Sequence, residues 1–185
     1  PEKITAVAQR CRAAGARTIT ESTDLDHLKK AHFIITVTSA VDGIIQPDHL
    51  RPGAVVCDVA RPRDVSRQVA DARPDVLVIE GGMVAVPGPV DFGFNFGFPP
   101  GMAYACMAET MALALENRYE SFTLGKQLQL SQVETIDTIA SRHGFKLGGF
   151  RSFERAITSE EIASIKALSD SSHADQWQPD PSPAG

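Results

Sequence analysis

The run HFIITVT, residues 32–38, is continuously apolar and β-branched apart from its first residue. A run of that kind is expected of a strand buried on both faces, as in a parallel sheet. Two more runs repeat the signal, AVVCDV at 54–59 and DVLVI at 75–79. A short strand is expected upstream at Ala16–Thr20. Helical patterns lie between these runs: Asp24–Lys30 behind Ser22 and Thr23, a turn at Pro47–Leu50, and Arg63–Asp71. Strands alternating with helices, with no hairpin turn signals between them, predict parallel βαβ units with right-handed crossovers.

The fold class expected is therefore α/β, an open parallel sheet of Rossmann type with helices on both faces. Upstream, Pro1–Ala14 reads as an amphipathic helix with Ile4, Val7, Ala8 and Cys11 on one face, ended by Gly15. Pro-Glu-Lys is a helix opening. The chain is thus expected to start inside a domain, without the first strands of its sheet. The missing N-terminal region of the same protein, or a partner in a homo-oligomer, would complete it. Downstream, Met83–Gly101 is irregular and rich in glycine, proline and phenylalanine. Helices are expected at Pro100–Asn117, at Ser131–Arg142 with a capping box of Ser131 and Glu134, and at Ser159–Leu168. Residues 1–168 form the expected domain, and the polar, proline-rich residues 169–185 a disordered tail.

At 185 residues and 43% apolar, the chain can bury one core of ordinary size. A net charge of −5 gives no reason to expect nucleic acid or an anionic membrane as partner. No apolar run is long enough to be a transmembrane segment. Three separated cysteines, Cys11, Cys57 and Cys106, form no C-x-x-C pair and have no histidine at zinc-ligand spacing, so no metal is expected. Free thiols suit a reducing, cytoplasmic setting.

Ligands of open parallel sheets bind outside the carboxyl ends of the strands. Those ends carry Thr38-Ser39-Ala40, Asp58-Val59-Ala60 and Glu80-Gly81-Gly82-Met83. Small residues let a flat ring approach the backbone, hydroxyls orient it, and paired glycines turn the chain sharply. Thr38, Ser39, Ala40, Asp58, Gly81, Gly82 and Met83 are accordingly the candidate cofactor-binding residues, with ordinary strand-to-helix turns as the alternative. The G-x-G-x-x-G loop of dinucleotide folds is absent.

Cys11, on an apolar helix face, and Cys57, inside a strand, read as packing. Cys106 lies in a helix that follows Pro99-Pro100-Gly101, among Ala103, Ala105 and Ala108. The helix dipole favours a thiolate near that end, partially at the sixth or seventh helical position. The same small face would also suit packing. Glu109 stands one turn away, and His143 is a partner in space only, with the end of its own helix as the alternative role.

Tyr104-Ala105-Cys106-Met107-Ala108-Glu109-Thr110-Met111, with Leu113 and Leu115-Glu116, resembles the cysteine helix of the aldehyde-forming long-chain acyl-(acyl carrier protein) reductases. Phe122-Thr123-Leu124-Gly125-Lys126 and Ser141-Arg142-His143-Gly144-Phe145 are similar to that family's later segments, and Gly81-Gly82 matches in place. The resemblance implies an NADPH-binding Rossmann domain, with NAD as the other cofactor. It implies that Cys106 takes the acyl group of a small-molecule or carrier-bound thioester, and that hydride reduces it to an aldehyde. The stretch Asp91–Pro100 departs from the family pattern and implies another acyl or carbonyl substrate. Val37-Thr38-Ser39-Ala40 and Asp58-Val59-Ala60 also look like the turns of shikimate-dehydrogenase-like and predicted amino-acid dehydrogenases. That likeness implies direct hydride transfer, with Cys106 as packing. A non-catalytic Rossmann-like interaction domain is the remaining expectation.

Overall fold

The computed structural model describes residues 2–60, 62–95, 97–125, 128–153 and 155–174. They fall into two compact units. The first runs to Val78 and takes in the chain from Glu160, and the second is Ile79–Ser159. No described helix is long and apolar enough to cross a membrane.

The first unit opens with helix α1 (Glu2–Ala13). Gly15 follows at φ +97°, the left-handed conformation that stops a helix at little cost in glycine. Ala16–Thr20, expected as a strand, is irregular. A 3₁₀ turn over Leu25–Lys30 is capped by Asp24, whose side chain accepts from the Asp26 N–H at 3.0 Å. Strands β1 (Phe33–Thr36), β2 (Val55–Asp58) and β3 (Leu77–Ile79) form a parallel sheet in that order, with Phe33 opposite Val55 and Thr36 opposite Asp58. Helix α2 (Arg67–Ala72), capped by Ser66, makes the second crossover. The α/β class and the parallel sheet are as the sequence reads.

The two-sided burial expected of HFIITVT does not occur. Ile34 and Thr36 are buried, while Phe33, Ile35 and Val37 are 60%, 63% and 69% exposed. Alternation along a strand sends successive side chains to opposite faces. One face of the sheet meets a core of Ile45, Leu50, Val56, Val65 and Val69, all fully or nearly fully buried. Over β1, the opposite face is left open.

Helix α5 (Ser159–Ala174) closes the first unit. It runs beyond the expected Leu168, and residues 175–185 of the expected tail lie outside the described residues. Gly53, at φ +74°, lets the backbone pass under α5. A β-carbon there would stand 2.6 Å from the Ser169 nitrogen.

The second unit contains an antiparallel sheet that the sequence does not announce. Strands β4 (Gly82–Ala85), β5 (Met102–Tyr104), β6 (Lys146–Ser152) and β7 (Arg155–Ala156) lie in the order β5-β4-β6-β7. Met83 pairs with Gly149 and Val84 with Leu147, so Gly148 is the extra residue of a bulge. Helices α3 (Ala105–Leu115) and α4 (Leu130–Arg142) pack on this unit through Ala108, Ala112, Leu113, Ile139 and Phe145. Each large apolar side chain in such a cluster contributes about 1.5–3 kcal/mol on burial. Helix α4 opens one residue before the expected Ser131, with the Gln132 side chain accepting from the Gln129 N–H at 2.9 Å.

Candidate functional site

The carboxyl ends of β1 and β2 converge on two aspartates that are fully buried, Asp58 and Asp64. Asp58 ends β2. Its carboxylate accepts the backbone N–H of Ala60 at 3.0 Å and of Val65 at 2.9 Å. Asp64 stands on the loop that follows. It accepts the Thr36 hydroxyl, the Thr38 hydroxyl and the Thr38 N–H, the last at 2.9 Å. Thr38 in turn accepts the Ala40 N–H at 3.1 Å. Burial alone pushes the Asp64 carboxyl up, but the hydrogen bonds from Thr36 and Thr38 outweigh it. The net effect holds Asp64 below the usual aspartate range.

The same loop bridges to the segment after β1. Ile45 N–H donates to the Asp64 carbonyl and Ser66 N–H to the Ile45 carbonyl, each at 2.9 Å. Gly43 makes room for this: a β-carbon there would lie 2.8 Å from the Ser66 α-carbon. The polar groups of this edge therefore hold the chain to itself. The Thr38 hydroxyl, expected to orient a ring, is engaged with Asp64, and the Asp58 carboxylate is engaged with backbone. Ser39 is exposed and Ala40 half-buried beside them.

Gly81, Gly82 and Met83 do not join this edge of the sheet. Gly81 turns at φ +88° from β3 toward β4. Gly82 and Met83 are residues of β4, paired with Phe150 and Gly149, and the Met83 side chain is buried. They belong to the second unit, whereas Thr38, Ser39, Ala40 and Asp58 belong to the first.

Cys106 is exposed. It is the second residue of α3, not the sixth or seventh, because the preceding residues form a turn and β5 before the helix begins. Its expected neighbours are occupied elsewhere. Glu109 accepts the Thr123 hydroxyl at 2.5 Å. His143 is the C-cap of α4 and meets Glu116, the C-cap of α3, at 2.7 Å. Glu116 also pairs with Arg142. The hydrogen bond from His143, aided by Arg142, holds the Glu116 carboxyl below its ordinary value. Cys106 and Glu116 stand at opposite ends of α3, about 15 Å apart along its axis at 1.5 Å per residue. His143 is therefore tied to the far end of the cysteine helix, and its role is the helix-ending one. Among the described residues, no group of three His, Cys, Asp or Glu side chains gathers as metal ligands would.

Sequence reasoning missed Asp64, which it placed inside a helix starting at Arg63. The available signal was an acid six residues after the strand-ending Asp58, ahead of the Ser66 cap.

No family model matches the chain. The chain is 34% identical over 151 residues to the protein named Aminotransferase PigE of Serratia sp. (strain ATCC 39006), a match that covers 80% of this chain and 18% of that protein. The chain thus spans about a fifth of the length of the curated relative it matches. The likeness to a protein named for amino transfer overturns four expectations: membership of the acyl-(acyl carrier protein) reductases, the shikimate- or amino-acid-dehydrogenase alternative, the non-catalytic interaction domain, and NADP or NAD as cofactor. The reductase chemistry through Cys106, with its aldehyde product, is corrected with them.

Proposed function

We propose that the chain serves an amino-transfer enzyme as one segment of a longer polypeptide. The observation that carries this reading is the 34% identity over 80% of the chain to a protein named as an aminotransferase. That the match takes up only 18% of the relative supports a division of labour, in which other segments hold the reacting groups.

Amino transfer implies pyridoxal phosphate, which is held through a lysine and a carboxylate or arginine at its ring nitrogen. The described lysines do not fit that group. Lys3, Lys29, Lys30, Lys146 and Lys166 are all exposed, and the Lys29 ammonium is paired with Asp26 at 2.6 Å. A cofactor lysine is lowered in pKa by a desolvated pocket. None of these five has such surroundings, and Lys29 is raised by its bond to Asp26. The cofactor is accordingly assigned to residues beyond these five lysines.

The test is transfer of a ¹⁵N label from an amino acid donor to a 2-oxo acid. It compares the polypeptide that carries this segment with the 185-residue chain alone, with pyridoxal phosphate supplied to both. Label transfer by the longer protein and none by the chain alone is expected. A folded longer protein that transfers no label to any of a panel of 2-oxo acids overturns the reading.

A further inference from the structure

Strand β1 is an edge of the parallel sheet, with β2 on one side and, among the described residues, no strand on the other. Val55 N–H donates to the His32 carbonyl and Val59 N–H to the Thr36 carbonyl, each at 2.9 Å. In a parallel ladder alternate residues turn their backbone to the same neighbour. His32, Ile34 and Thr36 thus face β2, and Phe33, Ile35 and Val37 aim their N–H and C=O groups at the open edge. The stretch FIITV at 33–37 has no charge and no proline, and its pairing with β2 has no bulge. These are the devices that keep an edge strand from pairing further.

The face beside this edge is bare as well. Phe33, Ile35 and Val37 are exposed on it. By register Val55 stands next to Phe33 and Cys57 next to Ile35 on the same face, and Val59 extends it, exposed, past the end of β2. Parallel sheets occur almost only with both faces covered.

Two bare surfaces therefore meet along one strand, and the occupant has to cover both. A second copy paired edge to edge would lengthen the sheet and leave both open faces bare. A second copy stacked face to face would leave the edge unpaired. A strand with its crossover helix covers both at once, because parallel neighbours are joined through a helix that packs on the sheet.

We infer that β1 is the docking edge for a strand-and-helix unit from another part of the longer polypeptide, with the strand beside β1 and the helix over Phe33, Ile35 and Val37. This rests on the reading of the chain as one segment of a longer protein, supported by a match that takes up only 18% of the relative. It does not rest on amino transfer.

The test is hydrogen–deuterium exchange at single-residue resolution, without substrate or cofactor, on the longer polypeptide and on the chain alone. In the chain alone the amides of Phe33, Ile35 and Val37 are expected to exchange fast, and those of Ile34 and Thr36 slowly. In the longer polypeptide the first three are expected to slow by about a hundredfold or more, at every protein concentration. Ile35→Lys should leave the thermal midpoint of the chain alone nearly unchanged and lower that of the longer polypeptide by about 5 °C or more. Fast exchange of the three amides in the folded longer polypeptide overturns the inference. So does protection that disappears on dilution, which would assign the edge to a second copy, or an Ile35→Lys midpoint that does not move in the longer polypeptide. The unsubstituted longer polypeptide decides it even if the chain alone fails to fold. Loss of the ¹⁵N transfer with the three amides protected would sink amino transfer and leave this docking edge standing.

Discussion

Thr38 donates its backbone N–H to the buried carboxylate of Asp64 at 2.9 Å, and its hydroxyl donates to the same group. At the edge of the parallel sheet where a cofactor would be sought, the chain is thereby tied to itself by its own donors. Asp64 holds the end of β1 and Asp58 the loop that follows β2, so the two acids fix both chains at that edge.

Asp64→Asn should destabilise the first unit. An amide offers one acceptor oxygen where the carboxylate uses two, so a buried donor loses its partner. The cost is about 2–4 kcal/mol, read by urea denaturation at neutral pH. The folded pKa of Asp64 lies below its unfolded value. Its contribution is therefore complete above the unfolded pKa of about 3.9 and fades as pH falls through the folded value. Thermal midpoints should hold level from about pH 7 to about pH 5 and drop below about pH 4. The Asp64→Asn variant should show a shallower drop. An equal acid slope in both proteins would remove Asp64 from the account.

At the bulge of β6, a β-carbon on Gly148 would lie 2.4 Å from the Met102 sulfur and 3.1 Å from the Ala85 nitrogen. Gly148→Ala should cost about 1–3 kcal/mol through overpacking. Met102→Ala in the same chain should recover part of that loss, because the sulfur is the nearer obstacle and the Ala85 backbone remains. A double-mutant cycle on denaturation midpoints reads the coupling, and strict additivity would contradict this packing.

Cys11 and Cys106 are exposed and Cys57 is half-buried on β2. A thiol-reactive dye should label two cysteines rapidly and the third slowly, with peptide mapping assigning the slow one to Cys57. Rapid labelling of all three in the folded chain would contradict the burial of β2.

Much of the first unit was legible in the sequence. HFIITVT, AVVCDV and DVLVI are dense in β-branched residues, and β1, β2 and β3 lie within them. What the runs did not reveal was which face would be covered: apolarity marks surface that burial would favour, and Phe33 and Ile35 remain exposed. The antiparallel sheet was illegible for a physical reason. Strand β4 begins in glycine, β5 has three residues, and β6 carries Gly148 and Gly149 at its bulge. Its pairing is fixed by tertiary contacts and not by propensity. At the candidate site Asp58 was legible as a strand end, but its use for internal hydrogen bonds was not. A side chain that could face a ligand and one that ties down a loop leave the same letter in the sequence. Cys106 was found as a residue and misplaced on its helix, because Pro99-Pro100-Gly101 looked like the helix start while β5 intervenes.

On the proposed reading, amino transfer runs with the cofactor lysine lying elsewhere than on the five described lysines. Its most direct measurement is borohydride reduction of the pyridoxal-phosphate-loaded polypeptide that carries this segment, followed by peptide mapping of the labelled lysine. One labelled lysine is expected, and at none of Lys3, Lys29, Lys30, Lys146 or Lys166. A label on one of these five, or a folded protein with no labelled lysine at all, would contradict it.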